Sequence, residues 1–263
     1  MLIHTEMIDL PQLSPRGLVI GSFDGVHLGH RLLFKRAREL ISPKGTLGAL
    51  SFINHPSQVL KRGPPALLIC SKDHKIKLLE EAGIQELFLI EFTPEFAAQT
   101  YEEFLTNLKK SFPFDFLIRG KGSTLGKSRE GNEIQVAELG KKLQFQSEYL
   151  ENLKIADEVV SSRKIREFIQ NGNFEKAKQL LGRPYSIYGL FEIDTENTLQ
   201  GSLPVHNLCL PPVGTYEVLV KQGIKITGAR AHLQKKAHEI KLSFVHTCQE
   251  FAGLNIEILF GET

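Results

Sequence analysis

The chain has 263 residues, 41% of them hydrophobic and 24% charged, with a formal net charge of +2. That length accommodates one large domain or two modest ones, and so small a charge generates no field that would recruit a nucleic acid. Cys70, Cys209 and Cys248 are scattered and form no CxxC pair, which excludes a disulfide framework or a zinc knuckle as the organising device. The first residues lack the apolar stretch of a signal peptide, and no run reaches the ~20 apolar residues of a membrane span. A cytoplasmic protein with neither a membrane nor a nucleic-acid partner is expected.

Through residue 151, apolar runs alternate with amphipathic stretches at the spacing of βαβ units. Strands are predicted over Leu18–Gly21, Gly48–Phe52, Glu86–Glu91, Phe116–Arg119 and Gln146–Glu151, and helices over Leu28–Ile41, Lys72–Ala82, Pro94–Ser111 and Glu130–Lys142. Thr93 before Pro94 reads as an N-cap with a first-turn proline. Nearly all-apolar strands separated by helices imply a parallel sheet covered on both faces. Two further helices are predicted between Ser161 and Leu181, broken at Asn171-Gly172-Asn173, and Gly182-Arg183-Pro184 ends helical character. From Tyr185 only strand-like pieces follow: Tyr185–Phe191, Thr215–Val220, Gly223–Ala229, Glu239–Val245 and Asn255–Phe260. The expected organisation is an α/β domain over residues 1–184 and a small β domain over 185–263, near the lower size for an independent core.

Chemistry concentrates in Gly21-Ser22-Phe23-Asp24-Gly25-Val26-His27-Leu28-Gly29-His30. A buried strand runs into a glycine-bearing turn and then a helix start, whose free N–H groups and positive dipole end attract anions. His27 and His30 are three residues apart and can face one ligand there. Two imidazoles can stabilise charge on a phosphoryl group in transfer without a covalent intermediate. Paired surface or capping histidines are the plainer reading of that spacing. Asp24 fits either a ribose or histidine contact or an Asx turn.

A second anion signal is Ser161-Ser162-Arg163-Lys164-Ile165-Arg166. Serines cap helices, yet cations beside a positive helix end call for a neutralising anion. A triphosphate would serve, with Ser161, Ser162 and Arg166 as donors. His55 precedes Pro56 at the carboxyl end of a predicted parallel strand, where ligands of open α/β sheets bind. A polar residue simply leaving the sheet is the alternative.

The Gly21–His30 segment resembles the signature of the HxGH nucleotidyltransferase superfamily and, more narrowly, the adenylyltransferase module of bacterial bifunctional riboflavin kinase/FAD synthetases. Ser51-Phe52-Ile53-Asn54-His55-Pro56, Ser161-Ser162-x-x-Ile165-Arg166 and Gly182-Arg183-Pro184-Tyr185-Ser186-Ile187 resemble further motifs of that family. The resemblance implies a Rossmann-like parallel-sheet nucleotidyltransferase domain followed by a small β-barrel-like domain. It implies transfer of AMP from ATP to FMN, giving FAD and pyrophosphate, with Mg²⁺ bridging phosphate oxygens. His27 and His30 would stabilise the α-phosphate and the departing pyrophosphate. Gly21, Ser22, Phe23, Asp24, Gly25 and Gly29 would line the nucleotide, and Ser161, Ser162 and Arg166 would hold its β- and γ-phosphates.

Two departures from the family pattern bear on the acceptor. Arg163 stands where the family has threonine. The segment Gly120-Lys121-Gly122-Ser123-Thr124-Leu125-Gly126 keeps the glycines of a flavin-bordering loop but none of its aromatics. Lys121, Lys127 and Arg129 are candidates for the FMN phosphate, or else solvated surface cations. In the β domain, a kinase resemblance survives at Pro204-Val205-His206-Asn207, where valine replaces a magnesium-binding threonine. It survives also at Glu239, which alternation equally reads as an outward strand residue. Asn207 and Glu239 are the kinase-remnant candidates. Members of the family run on into a closing helix, so a shortened kinase-like domain with lost or weak activity is expected. Alternatives are a nucleotidyltransferase with another phosphate-bearing acceptor and a non-catalytic flavin- or nucleotide-binding regulator.

Overall fold

A computed structural model describes residues 1–11, 15–41, 43–61, 63–234 and 238–262. The chain divides into two compact units, one of Met1–Ala66 with Leu78–Lys154, the other of Leu67–Lys77 with Ile155–Thr263. Helices α7 (Ser162–Gln170) and α8 (Phe174–Leu181) fall in the second unit, although the sequence groups them with the residues before 184.

The first unit is built on a six-stranded, wholly parallel sheet: β1 (Leu2–His4), β2 (Arg16–Ile20), β3 (Thr46–Phe52), β4 (Glu86–Ile90), β5 (Phe116–Gly120) and β6 (Gln146–Leu150), in the order β1-β4-β3-β2-β5-β6. From β2 the chain winds outward through β3 and β4, then returns to place β5 on the other side of β2. That reversal makes the β2/β5 pair a topological switch point, where the loops leave a crevice. Leu18 lies opposite Leu117 and Val19 opposite Ile118 across it.

Helices α1 (Leu28–Ile41), α3 (Lys72–Glu81), α5 (Tyr101–Ser111) and α6 (Glu133–Leu143) lie close to their predicted spans. The expected helix Pro94–Ser111 is instead two, α4 (Pro94–Ala98) and α5. Gln99 turns extended, and Thr100 and Glu103 form a reciprocal capping box that starts a new helix. In the same way Asn132 caps α6 through Ile134 N and Gln135 N, so that helix starts three residues later than Glu130. Strand β1 and the five-residue α2 (Pro56–Leu60) are not among the sequence expectations. One face of the sheet carries the larger core, in which Leu18, Leu50, Phe88, Phe112 and Leu117 are fully buried.

The second unit contains a seven-stranded antiparallel sheet. Its strands are β9 (Tyr185–Leu190), β10 (Glu192–Ile193), β11 (Gln200–Pro204), β12 (Gly214–Gln222), β13 (Lys225–Leu233), β14 (Glu239–Phe244) and β15 (Asn255–Phe260), ordered β10-β11-β14-β13-β12-β15-β9. Two short strands, β7 (Lys154–Ile155) and β8 (Glu158–Val159), pair by themselves. Alternation decides what is inside: Val218, Val220, Ala229, Ala231, Ile240 and Leu242 are buried, while the residues between them are not. Phe174 of α8 stacks on Tyr185 and tilts against Phe260, which ties that helix to the sheet. The whole is α/β: a Rossmann-like parallel sheet and a small barrel-like antiparallel one.

Candidate active site

Strand β2 ends at Ile20, and Gly21 extends its ladder by donating its N–H to Leu50 O at 3.1 Å. A Cβ on Gly21 would stand 2.9 Å from the Phe23 ring, so this position needs glycine for space. The chain then turns through three left-handed residues: Phe23 at φ 47°, Gly25 at φ 79° and Val26 at φ 39°. For Phe23 and Val26 that conformation costs of order 1–3 kcal/mol each and persists only where packing fixes it. Both side chains are buried, and the strain is spent where the chain turns from β2 into α1. Asp24 is buried in the same turn, and Ser22 O accepts from Ser51 Oγ at 3.2 Å.

The turn delivers two histidines to the start of α1. Their rings stack with centroids 3.6 Å apart and planes 17° from parallel. His30 N–H donates to His27 O at 2.9 Å and reaches His27 Nδ1 at 3.4 Å. The edge of Phe23 meets His30 at 5.2 Å and 89°, so His30 lies between an aromatic edge and its partner imidazole. Gly29 is the second residue of α1.

Beside this turn, a cavity of about 640 Å³ opens over the switch point, lined from β2 by Ile20 and Gly21 and from β5 by Arg119. Its apolar wall is an aromatic cluster: Phe52, Phe92 and Phe96 lie within 5.0–5.6 Å of one another, centroid to centroid. The loop 122–129 forms the opposite rim. The wall supplies the aromatic surface that the 120–126 segment lacks. It escapes a motif-based reading because its rings come from two separate stretches of chain, Phe52 at the end of β3 and Phe92 with Phe96 just after β4.

His55 lines the cavity and also caps α2, with Nδ1 accepting from Ser57 N at 3.2 Å and lying 2.7 Å from Ser57 Oγ. Arg129 lines it too, exposed, from a short turn with Ser128 at φ 55°. Lys121 is not among the lining residues; it is exposed and paired with Glu151. Lys127 lines the cavity as well, and so do Arg119, Phe92, Phe96 and Gln99, which were not singled out in the sequence. Among the described residues, no group of three or more His, Cys, Asp or Glu side chains gathers into a metal site.

In the second unit Ser161 is the N-cap of α7, accepting from Lys164 N at 3.3 Å, and Ser162 opens the helix. Arg166 is half-buried one turn on. Asn207 is exposed, with φ 59°, and Glu239 opens β14 beside a cavity of about 430 Å³ that it shares with His206, His232 and His238. His232 is committed on both ring nitrogens, to Thr215 Oγ1 at 3.0 Å and Ser243 Oγ at 2.8 Å. Val205 is buried in the turn before Asn207 and offers no oxygen to a cation.

Residues 11–164 match the family model described as FAD synthetase. A bifunctional riboflavin kinase/FMN adenylyltransferase from Bacillus subtilis is 32% identical over 275 residues, covering 98% of this chain and 86% of the relative. The chain belongs to the FAD synthetase family. A protein named FAD synthetase from Listeria monocytogenes is 30% identical over 201 residues, 76% of this chain and 79% of that one. A solved structure described as a macrolide-efflux protein from Streptococcus pneumoniae superposes with a TM-score of 0.80, covering 98% of this chain and 88% of its own. At 23% identity that likeness establishes the shared fold alone. The histidine pair stands at a strained helix start, beside an aromatic-walled cavity.

Proposed function

We infer that this chain is an FMN adenylyltransferase, taking AMP from ATP to FMN and releasing FAD and pyrophosphate. The observation that supports it most is the stacked His27–His30 pair at the start of α1, beside a cavity large enough for a ring system. An FMN phosphate oxygen attacks the α-phosphorus of ATP. The new P–O bond forms as the α–β bridging bond breaks, and pyrophosphate leaves. His27 and His30 stabilise the charge that grows on the α-phosphate and the leaving group. The first N–H groups of α1 add the helix's positive end.

The acceptor's ring packs on Phe52, Phe92 and Phe96, and Arg129 and His55 meet its polar part. Gly21, Ser22, Phe23, Asp24, Gly25 and Gly29 shape the nucleotide's bed. Ser161, Ser162 and Arg166 are assigned to phosphate oxygens. Mg²⁺ supplies charge neutralisation as ATP's own counter-ion, and no protein ligand is assigned to it. The reaction belongs in the cytoplasm, with no nucleic-acid or membrane partner assigned; no described helix is long and apolar enough to cross a membrane.

Riboflavin kinase activity is proposed to be lost or weak. Val205 brings no hydroxyl to the turn before Asn207, and Glu239 sits exposed among histidines. The test is direct: incubate with ATP and Mg²⁺ plus FMN or riboflavin, and follow pyrophosphate and flavin products. FAD from FMN, with nothing from riboflavin, is expected. FMN appearing from riboflavin overturns the kinase claim. Flavin binding without pyrophosphate release overturns the enzyme reading in favour of a regulator.

A further inference from the structure

Asn54 lies two residues beyond β3 and does not itself line the cavity, yet it holds part of the cavity's wall. The ladder between β3 and β4 ends at the pair Phe52–Ile90, with one further bond from Ile53 N–H to Ile90 O at 2.9 Å. Past that point the Asn54 side chain continues it. Its Oδ1 accepts from Phe92 N–H at 2.8 Å, and its Nδ2 donates to Phe92 O at 3.0 Å. A carboxamide carries an acceptor and a donor side by side, so against a main chain it acts as one more residue of a neighbouring strand. Among side chains of this length only asparagine has both groups; an aspartate carboxylate has no donor for Phe92 O.

The clamp falls on a stretch of the wall that belongs to neither strand nor helix. Phe92 stands between β4, which ends at Ile90, and α4, which begins at Pro94. Thr93 beside it caps α4 by accepting from Phe96 N–H at 3.1 Å. Holding the main chain of Phe92 therefore holds the start of α4, and Phe96 with it. The rings meet edge to face, Phe52 with Phe92 at 85° and Phe52 with Phe96 at 69°, as aromatic quadrupoles favour. The loop 120–126 across the cavity carries no aromatic residue. A planar ring system in this cavity thus has the wall, with Phe104, as its stacking surface.

We propose that Asn54 is a positioning residue of the acceptor site: by clamping the main chain of Phe92 it keeps Phe92 and Phe96 where the acceptor's ring packs, and so sets acceptor affinity without touching the acceptor. This rests on the cavity being the acceptor site. Without the clamp, the N–H and O of Phe92 turn to water and the two rings spread over several positions. A planar ligand must then order them again as it binds, and that cost falls on its own affinity and not on that of ATP. Transfer at the α-phosphorus takes place at the start of α1, so kcat is kept once the acceptor is bound.

The experiment follows FAD formation and the quenching of flavin fluorescence on binding, with the full chain as wild type, Asn54→Ala, Asn54→Asp, Phe92→Leu and the double variant Asn54→Ala/Phe92→Leu. Asn54→Asp is nearly isosteric, so it remains informative if Asn54→Ala fails to fold. Both Asn54 variants are expected to raise KM for FMN about tenfold, the usual effect of losing one hydrogen bond, while kcat and KM for ATP stay within about twofold. Riboflavin, which has the ring but no phosphate, should lose affinity by the same factor. The double variant should match Phe92→Leu, because two residues that act along one route are not additive. Equal rises in KM for FMN and ATP, or losses that multiply in the double variant, would make Asn54 a support of the fold at large and overturn the inference. Asn54→Asp behaving as wild type overturns it too, since shape alone would then suffice. Phe92→Leu that binds FMN as tightly as wild type, or a wild type that binds no flavin, overturns the acceptor-site reading itself.

Discussion

His27 and His30 stack face to face at 3.6 Å, and the main-chain N–H of one reaches the ring nitrogen of the other. The pair therefore presents as one rigid donor surface. If it acts on the transition state, His30→Ala should lower kcat about 10²- to 10³-fold, the usual effect of removing one oxyanion donor. KM for ATP should move only a few-fold. Steady-state kinetics with FMN saturating separates the two, and equal losses in kcat and KM would mean uniform binding instead.

Phe23 carries a second expectation. A Cβ at Gly21 would press on its ring at 2.9 Å, and that ring's neighbour is His30. Displacing a catalytic group by about 1 Å can reduce rate by up to ~10²-fold. Gly21→Ala should thus lower kcat about 10- to 10²-fold while far-UV circular dichroism stays that of wild type. Adding Phe23→Leu, which clears the ring from the new methyl group, should recover part of the loss. No recovery in the double variant would place the effect of Gly21 elsewhere, on the nucleotide.

The contrast between these residues and Arg119 explains what was legible in the sequence. Gly21 to His30 is one contiguous stretch in which strand, turn and helix start follow each other, so local rules reveal it. Strands β2 to β5 are largely apolar runs and were readable for the same reason, whereas β6, Gln-Ser-Glu-Tyr-Leu, is mostly polar. Leu2–His4 is three residues long and becomes a strand only because β4 lies alongside it, information that a local pattern does not hold. Arg119 looks like any cation leaving a strand. Its place in the cavity wall is a property of packing. The cavity wall is likewise tertiary, gathered from β3, the segment after β4 and α4.

Close packing of the sheet gives a stability expectation at Gly48. A Cβ there would lie 2.4 Å from the ring tip of Phe112, which is fully buried and has Arg16 stacked 4.8 Å above it. The ring has no open side to move into. Gly48→Ala should destabilise the first unit by about 1–3 kcal/mol, the range for overpacking a filled core. Faster hydrogen exchange at β2, β3 and β4 amides would register it, with β12 and β13 as the internal reference. Phe112→Leu in the same chain should reverse part of the effect.

The second unit should be sensitive to acid in two stages. Glu257 is buried between Lys77 Nζ at 2.6 Å, Ser186 Oγ at 2.7 Å and His74 Nε2 at 3.6 Å. Burial alone would raise its pKa, but hydrogen bonds from Lys77 and Ser186, with His74 close by, outweigh it and hold the carboxyl well below the usual range. Burial pushes His74 down, against the opposing pull of Glu257. Below about pH 6.5 the unfolded chain binds a proton at His74 that the folded unit refuses, so stability falls as pH drops. Below about pH 4.3 the same holds for Glu257, whose contribution is complete above that pH and is lost toward its lower folded value. Hydrogen exchange of β9 and β15 amides should therefore accelerate first as pH falls below about 6.5, then again below about 4.3. His74→Asn should remove the first stage and keep the second. Glu257→Gln should remove the second and destabilise the unit at neutral pH by about 3 kcal/mol, the low end for breaking a buried pair, because Lys77 is one-third exposed and can return to water. A single acid transition, unchanged in either variant, would mean that the cluster does not control the acid stability of this sheet.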